Sequence, residues 1–210
     1  MRYRTGASAP TPMVAPEFTS PAAGFDDPVE IWLACHERVL RFCSLMHRLN
    51  DHVGTEGANA DARVTANSIR RYFNEAAPRH HEDEEVDLFP RLRARLGSDE
   101  LATLAPTLAS IEEDHATTAE LWKAMDERLA RIEAGERALL DPALVDRWTA
   151  LYQHHIQAEE QVILPALRRA LTAADWKAAG HAMAARRGVI WPPEQPAAAR
   201  KSVVPIKARK

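Results

Sequence analysis

His80-His81-Glu82-Asp83-Glu84-Glu85-Val86-Asp87-Leu88-Phe89-Pro90 and His154-His155-Ile156-Gln157-Ala158-Glu159-Glu160-Gln161-Val162-Ile163-Leu164-Pro165 are two versions of one segment. Aligned on their prolines, they superpose His80 on His155 and Glu84 on Glu159, so each carries His-x-x-x-Glu. Residues four apart share one face of an α-helix, about 6 Å apart along its axis, near enough to serve one metal site. Two such helices facing each other would make a carboxylate-bridged pair of metals.

The duplication extends outward from these segments. Upstream of the first lies Trp32-Leu33-Ala34-Cys35-His36-Glu37-Arg38-Val39-Leu40, and upstream of the second lies Ile111-Glu112-Glu113-Asp114-His115-Ala116-Thr117-Thr118-Ala119. Each places a lone histidine, His36 or His115, on an apolar stripe of helical period. The order is therefore His, His-x-x-x-Glu, His, His-x-x-x-Glu over four helices, which fits two copies of a helix hairpin.

Apolar spacing outlines the helices themselves. Asp27-Pro28 reads as a cap followed by proline at the first helical position, opening a helix with Leu33, His36, Leu40, Cys43 and His47 on one face. That helix is expected to end near Asn50, before a loop from Gly54 to Gly57. A second starts around Asp61 and aligns Ile69, Phe73, His80, Glu84, Leu88 and Leu92, with a kink or local break at Pro78. A third follows Gly97-Ser98, with Pro106 as the place where it could break, and turns Leu104, Leu108, Ile111, His115, Trp122, Met125 and Leu129 inward. Asp141-Pro142 repeats the opening signal for a fourth, which presents Trp148, Leu151, His155, Glu159, Ile163 and Leu167. Thr172 caps a short fifth helix that ends at Arg186-Arg187-Gly188.

Composition bounds the rest. A chain of 210 residues that is 46% hydrophobic, with only 8 glycines, has room for one helical core with tails. The domain is expected over residues 26–190. Residues 1–25 and 191–210 lack helical period and are expected to be disordered tails, the second one basic. A formal charge of −3 gives no electrostatic case for nucleic acid, and the C-terminal Arg200, Lys201, Lys207, Arg209 and Lys210 read as a solvated tail. No apolar run reaches the roughly 20 residues of a membrane span, and the N-terminus has no continuous apolar region of the signal-peptide kind. The expectation is a cytoplasmic protein. Cys35 and Cys43 lie eight apart on one helix, about 12 Å along its axis, too far for a disulfide, and read as reduced core residues.

A single histidine on an apolar stripe is ordinarily a core or surface residue, and a lone His-x-x-x-Glu is common on solvated helices. Coincidence decides against that bland reading. His36, His80, Glu84, His115, His155 and Glu159 all fall on the apolar stripes of four successive helices, where unpaired carboxylates would cost several kcal/mol to bury. Metal binding removes the cost. His47, His52 and His181 have no such support. His81, Glu82, Glu85, His154 and Glu160 flank the stripes and read as hydrogen-bonding neighbours or solvated groups more readily than as ligands.

This order, with Leu88-Phe89-Pro90 and Ile163-Leu164-Pro165 closing the paired segments, resembles the hemerythrin-like, or HHE cation-binding, domain over about residues 27 to 188. The resemblance implies an all-α, up-down four-helix bundle, with the short C-terminal helix added, around a non-haem di-iron centre. It makes His36, His80, His115 and His155 terminal nitrogen ligands and Glu84 and Glu159 bridging carboxylates of two iron ions per chain, joined by an oxo or hydroxo bridge. One departure stands out. Oxygen-carrying hemerythrins have a His-x-x-x-His pair on the third helix, whereas Ala119 follows His115 here, so a reversible carrier role does not carry over. His81 is either a neighbour of the centre or an extra ligand that fills the missing place.

Ligand chemistry points to the metal separately. Mixed imidazole and carboxylate donors without thiolate suit iron or manganese, while structural zinc normally recruits cysteine or stops at four ligands; iron ranks first, with manganese and zinc behind it. The sequence thus predicts a non-haem di-iron protein that senses or reacts with oxygen, peroxide, nitric oxide or iron. Its expected partner is a small diatomic or peroxide molecule, with no nucleic acid or membrane involved. The second reading is a helical binding module stapled by its metal, without turnover. A nucleic-acid regulator would need a helix-turn-helix or aromatic-basic motif that the chain lacks.

Overall fold

The computed structural model describes residues 24–191, which form five helices and, among the described residues, no strand. They are α1 (Pro28–Glu56), α2 (60–95), α3 (Ser98–Glu133), α4 (142–170) and α5 (Ala173–Arg186). α1 packs on α2 and α4, and α3 packs on the same two, so the four long helices close a ring in up-down order. α5 lies across α1 and the middle of α2. The expected tails fall almost wholly outside the described residues; at their inner edges Phe25 and Trp191 meet edge to face, with ring centroids 5.9 Å apart. No helix among the described residues is long and apolar enough to cross a membrane.

α1 opens as its sequence directs. The Asp27 carboxylate accepts a hydrogen bond from the Glu30 amide at 3.1 Å, with Pro28 in the first turn. It does not end near Asn50, and Gly54 is helical. Leu49 and Val53 are fully buried, and the Asn50 side chain bonds both polar atoms of the Leu140 backbone, so packing outweighs the cost of about 1 kcal/mol for a helical glycine. The helix stops at Gly57, whose φ of 75° suits glycine. Its inward face is also wider than one stripe. His36 and Cys43 are buried with Trp32, Val39, Phe42 and Met46, while Leu33, Leu40 and His47 are half-buried, because α2 and α4 cover α1 from two sides.

α2 and α4 are continuous helices interrupted by wide π turns. These cover Tyr72–Ala76 and Asp83–Leu88 in α2, and Glu159–Ile163 in α4. A break at Pro78 was expected, and the first π turn is its form. Two more occur where no break was expected, and in all three a proline, Pro78, Pro90 or Pro165, sits two residues past the turn. Proline gives no N–H to the carbonyl four residues back, which leaves that turn free to widen. α3 behaves differently: it runs unbroken through Pro106, which is exposed, as is Ala102, whose carbonyl loses its partner to solvent. In α4, Tyr152 takes the buried position expected of Leu151, which is half-buried. α5 starts with a reciprocal capping box between Thr172 and Asp175. It fits closely over the start of α1, because a Cβ at Gly180 would collide with the Phe25 carbonyl.

Two apolar clusters fill the bundle. One contains Val39, Phe73, Trp122, Trp148 and Tyr152, and the other contains Trp32, Leu88, Leu108, Ile163 and Met183. His36, His80, His115 and His155 each fall between a residue of one cluster and a residue of the other along their helices. A polar layer is thus held between two dry ones.

Candidate metal centre

The six residues singled out by the sequence lie in that polar layer, and all are buried. They form two groups whose potential ligand atoms lie within 4.8 Å of one another: His36, His80, Glu84 and Glu159, and then Glu84, His115, His155 and Glu159. Each group combines the two histidines of one helix hairpin with both glutamates. On α2, His80 Nε2 lies 3.1 Å from Glu84 Oε1, and on α4, His155 Nε2 lies 3.2 Å from Glu159 Oε2. The cross contacts match, with His36 Nε2 3.2 Å from Glu159 Oε2 and His115 Nε2 3.1 Å from Glu84 Oε2.

These close approaches are not hydrogen bonds. His36 Nε2, Glu84 Oε2 and both Glu159 oxygens are buried without a hydrogen-bond partner. Such groups are rare in protein interiors because leaving them unpaired costs several kcal/mol. A cation between them would satisfy every one, and imidazole with carboxylate is a donor set suited to a borderline metal such as iron. The residues present fit a pair of metal ions.

Two further carboxylates aim the lone histidines. Glu160 accepts from His36 Nδ1 at 2.9 Å, and Glu85 accepts from His115 Nδ1 at 2.6 Å. Each places the ring proton on Nδ1, leaving the Nε2 lone pair turned inward. The pairing is exchanged between hairpins: Glu85 follows Glu84 on α2 yet serves α3, and Glu160 follows Glu159 on α4 yet serves α1. The sequence flagged both only as neighbours of the stripe.

Burial and charge split the two shared glutamates. Burial and the charge of Glu84 raise the Glu159 carboxyl well above its usual value. Burial acts the same way on Glu84, but His80 and His115 outweigh it and hold that carboxyl well below its usual value. Burial depresses the imidazoles of His80 and, to about 3, His155, which keeps them neutral as metal ligation requires. His115 goes the other way, since Glu84 and Glu85 overcome the effect of its burial.

His81 stands outside both groups. Its ring stacks on His115, with centroids 3.9 Å apart and planes within 11°, and its Nε2 is buried and unpartnered. Burial pushes its imidazole down to about 4. His154 and His52 are exposed or rim residues, His47 bonds Thr149 at 3.3 Å, and none of these nor His181 joins either group.

Two contributors were missed in the sequence. Trp32 Nε1 donates to Glu84 Oε1, and its ring sits edge-on to His36 at 4.9 Å. Its spacing of four from His36 on the same stripe is the signal that could have revealed it. Asp83 is buried under Arg186 of α5 and Arg187, which caps that helix, bonding both, and Asp87 accepts from Arg186 at 2.6 Å. This clamp grips the π turn that carries Glu84. An acidic pair four apart, against a double arginine at the end of the last helix, is the corresponding sequence pattern.

A model of the hemerythrin HHE cation binding domain matches residues 27–167. The chain is also similar to an uncharacterized protein of Haemophilus influenzae, with 32% identity over 171 residues that span 80% of this chain and 94% of the relative.

Proposed function

Since the chain belongs to the hemerythrin HHE cation-binding family, we propose that it is a non-haem di-iron protein that senses or reacts with oxygen, peroxide, nitric oxide or iron itself. The observation that carries this reading is the pair of buried four-residue groups sharing Glu84 and Glu159. In it, His36 and His80 would hold one ion, His115 and His155 would hold the other, and Glu84 and Glu159 would serve both. Four imidazoles and two carboxylates would leave part of the donor requirement of two such ions to a small ligand. Iron, when bound, supplies one-electron chemistry toward a small oxidant or radical; manganese and zinc rank behind it.

The protein side chains have distinct tasks in this reading. Glu85 and Glu160 hold the histidine tautomers, and Trp32 holds Glu84 in place. Burial beside the Glu84 charge favours the protonated form of Glu159, and a cation bound there would favour its carboxylate instead. Partners are small diatomic or peroxide molecules. A cytoplasmic setting belongs to the same reading.

The optical spectrum of iron-loaded protein tests this, taken without oxygen and then after air, peroxide or nitric oxide. Changes in the iron absorption with at least one of these, and oxidation in air without release of oxygen, are expected. A fully loaded protein whose spectrum answers to none of them is a metal-stapled module without turnover.

A further inference from the structure

We propose that Arg186 and Arg187, the last residue and the cap of α5, are positioning residues for Glu84, and that their hold on the π turn Asp83–Leu88 sets the aim of its carboxylate. Every nitrogen of the Arg186 guanidinium is engaged: Nη1 donates to Asp83 Oδ1, Nη2 donates to Asp87 Oδ2 at 2.6 Å, and Nε lies 3.1 Å from Glu82 Oε2. Arg187 adds a second fork on Asp83, with Nη2 2.6 Å from Oδ2 and Nη1 3.2 Å from Oδ1. Glu84 sits between the two points of attachment. A planar fork that spans Asp83 and Asp87 fixes their separation, and with it the rotation of the turn that carries Glu84.

The other hairpin is an internal control. With the prolines aligned, Ala158 stands in the place of Asp83 and Val162 in the place of Asp87, yet Glu159–Ile163 forms a π turn of the same kind. The turn therefore forms without a clamp, and the two aspartates answer a different need. Net stability is a weak reason for them, because burying an ion pair costs about as much in desolvation as its attraction returns. Asp83 is nonetheless buried at 1% exposure beneath both arginines. What the double fork supplies is a fixed place for the turn.

α5 is braced to deliver that place. The Thr172 capping box and the bond from Arg95 of α2 to Asp175 at 3.0 Å fix its start, and Gly180 seats it against the Phe25 carbonyl. Arg187 also donates to the Met183 carbonyl at 3.0 Å, which holds its guanidinium against the helix. Glu84 has little latitude to lose. Its Oε1 accepts from Trp32 Nε1 and lies 3.1 Å from His80 Nε2, while its Oε2 lies 3.1 Å from His115 Nε2, so groups from α1, α2 and α3 converge on one carboxylate. This placement stands on the protein alone; its consequence for metal binding rests on the function proposed above.

NMR of the full metal-free chain tests the placement, with the indole N–H of Trp32, whose acceptor is Glu84, as the reporter, assigned by its loss in Trp32→Phe. Arg186→Ala is expected to shift that signal towards the position of an unbonded indole. Arg186→Lys keeps the charge but cannot bridge Asp83 and Asp87, and is expected to shift it as well. The Trp148 indole, bonded to the Thr118 carbonyl, stays in place in both variants. Arg70→Ala, which breaks ion pairs with Asp126 and Glu133 away from the turn, leaves the Trp32 signal where it is in the parent. Chelator competition on the iron-loaded chain reads the consequence: both Arg186 variants are expected to bind iron about tenfold more weakly, with Arg70→Ala within about twofold of the parent. An unmoved Trp32 signal in Arg186→Ala, or its full recovery in Arg186→Lys, would overturn the positioning role. A shifted signal with unchanged iron affinity would overturn its bearing on the metals. A parent chain that takes up no iron would fail the function proposed above, and the indole signal would still decide the placement of Glu84.

Discussion

The two halves of the centre are built from equivalent parts and closed in different ways. The His36–His80 half is capped by Trp32, which donates to Glu84, and its helix is gripped from outside by Arg186 and Arg187 on Asp83. The His115–His155 half has no tryptophan in that place. Its neighbour is the stacked ring of His81, which also lines a surface cleft with Ala119 and Lys123. The repeated His-x-x-x-Glu pattern accounts for the matching positions of the candidate ligands, and the residues around them differ between the halves. One half is tied down by Trp32 and by Arg186 and Arg187, and the other borders the ring of His81.

Removing a shared glutamate is the strongest way to break this picture. Glu84→Ala or Glu159→Ala is expected to lower bound iron from two per chain to nearly none, because each belongs to both groups. His36→Ala or His115→Ala removes a ligand from one group only and is expected to leave about one ion. Metal analysis of the four variants checks this; equal losses across all four would mean that the glutamates are not shared.

Weaker effects test the exchanged pairing. Glu85→Gln and Glu160→Gln are each expected to reduce iron affinity by about 10- to 100-fold, the usual cost of losing a carboxylate behind a histidine ligand. Glu85→Gln acts on the His115 half and Glu160→Gln on the His36 half. Competition titrations with a chelator, which resolve the two ions by affinity, would reveal the opposite assignment.

Access separates the halves on a smaller scale. His81→Ala removes the ring that stacks on His115 and lines the cleft outside it, and is expected to speed peroxide reaction several-fold with iron retained. Trp32→Phe is expected to leave that rate within about twofold, since it loses the bond to Glu84 but keeps most of the ring packing. Stopped-flow rates decide this. Loss of iron in His81→Ala would make His81 a ligand.

The smallest effect concerns the helix that grips the first half. Arg95 donates to Asp175 at 3.0 Å, and the guanidinium, with Thr172, holds that carboxyl well below its usual 3.8. A depressed carboxyl stabilises the fold above its unfolded value, and that contribution fades as pH falls through the folded one. Asp175→Asn should therefore lower the melting temperature near neutral pH, and the gap to the parent should close as pH falls well below 3.8. A gap independent of pH would mean that the lost stability comes from packing alone.

Helical period made the candidate ligands legible. The step from Ile69 through Phe73, His80, Glu84 and Leu88 to Leu92 is regular enough to mark one buried face, and all six are buried. The π turns escaped because each adds local width without disturbing that pattern over a whole helix; the proline two residues beyond is the one mark they leave. Asp83 escaped for a different reason. It lies off the ligand stripe, and its partners Arg186 and Arg187 are about a hundred residues away, so no local period could join them. The two glycines after Asn50 suggest a loop in sequence, while burial of Val53 against the bundle keeps α1 helical through Gly54.

Counting iron per chain tests the shared-glutamate centre most directly. An anaerobic titration of the full chain, followed by metal analysis, is expected to give two ions for the parent and none for the His80→Ala, His155→Ala double variant, with its helical signal largely kept. One ion in the parent, or full loading of the double variant, would contradict a centre in which two ions share Glu84 and Glu159.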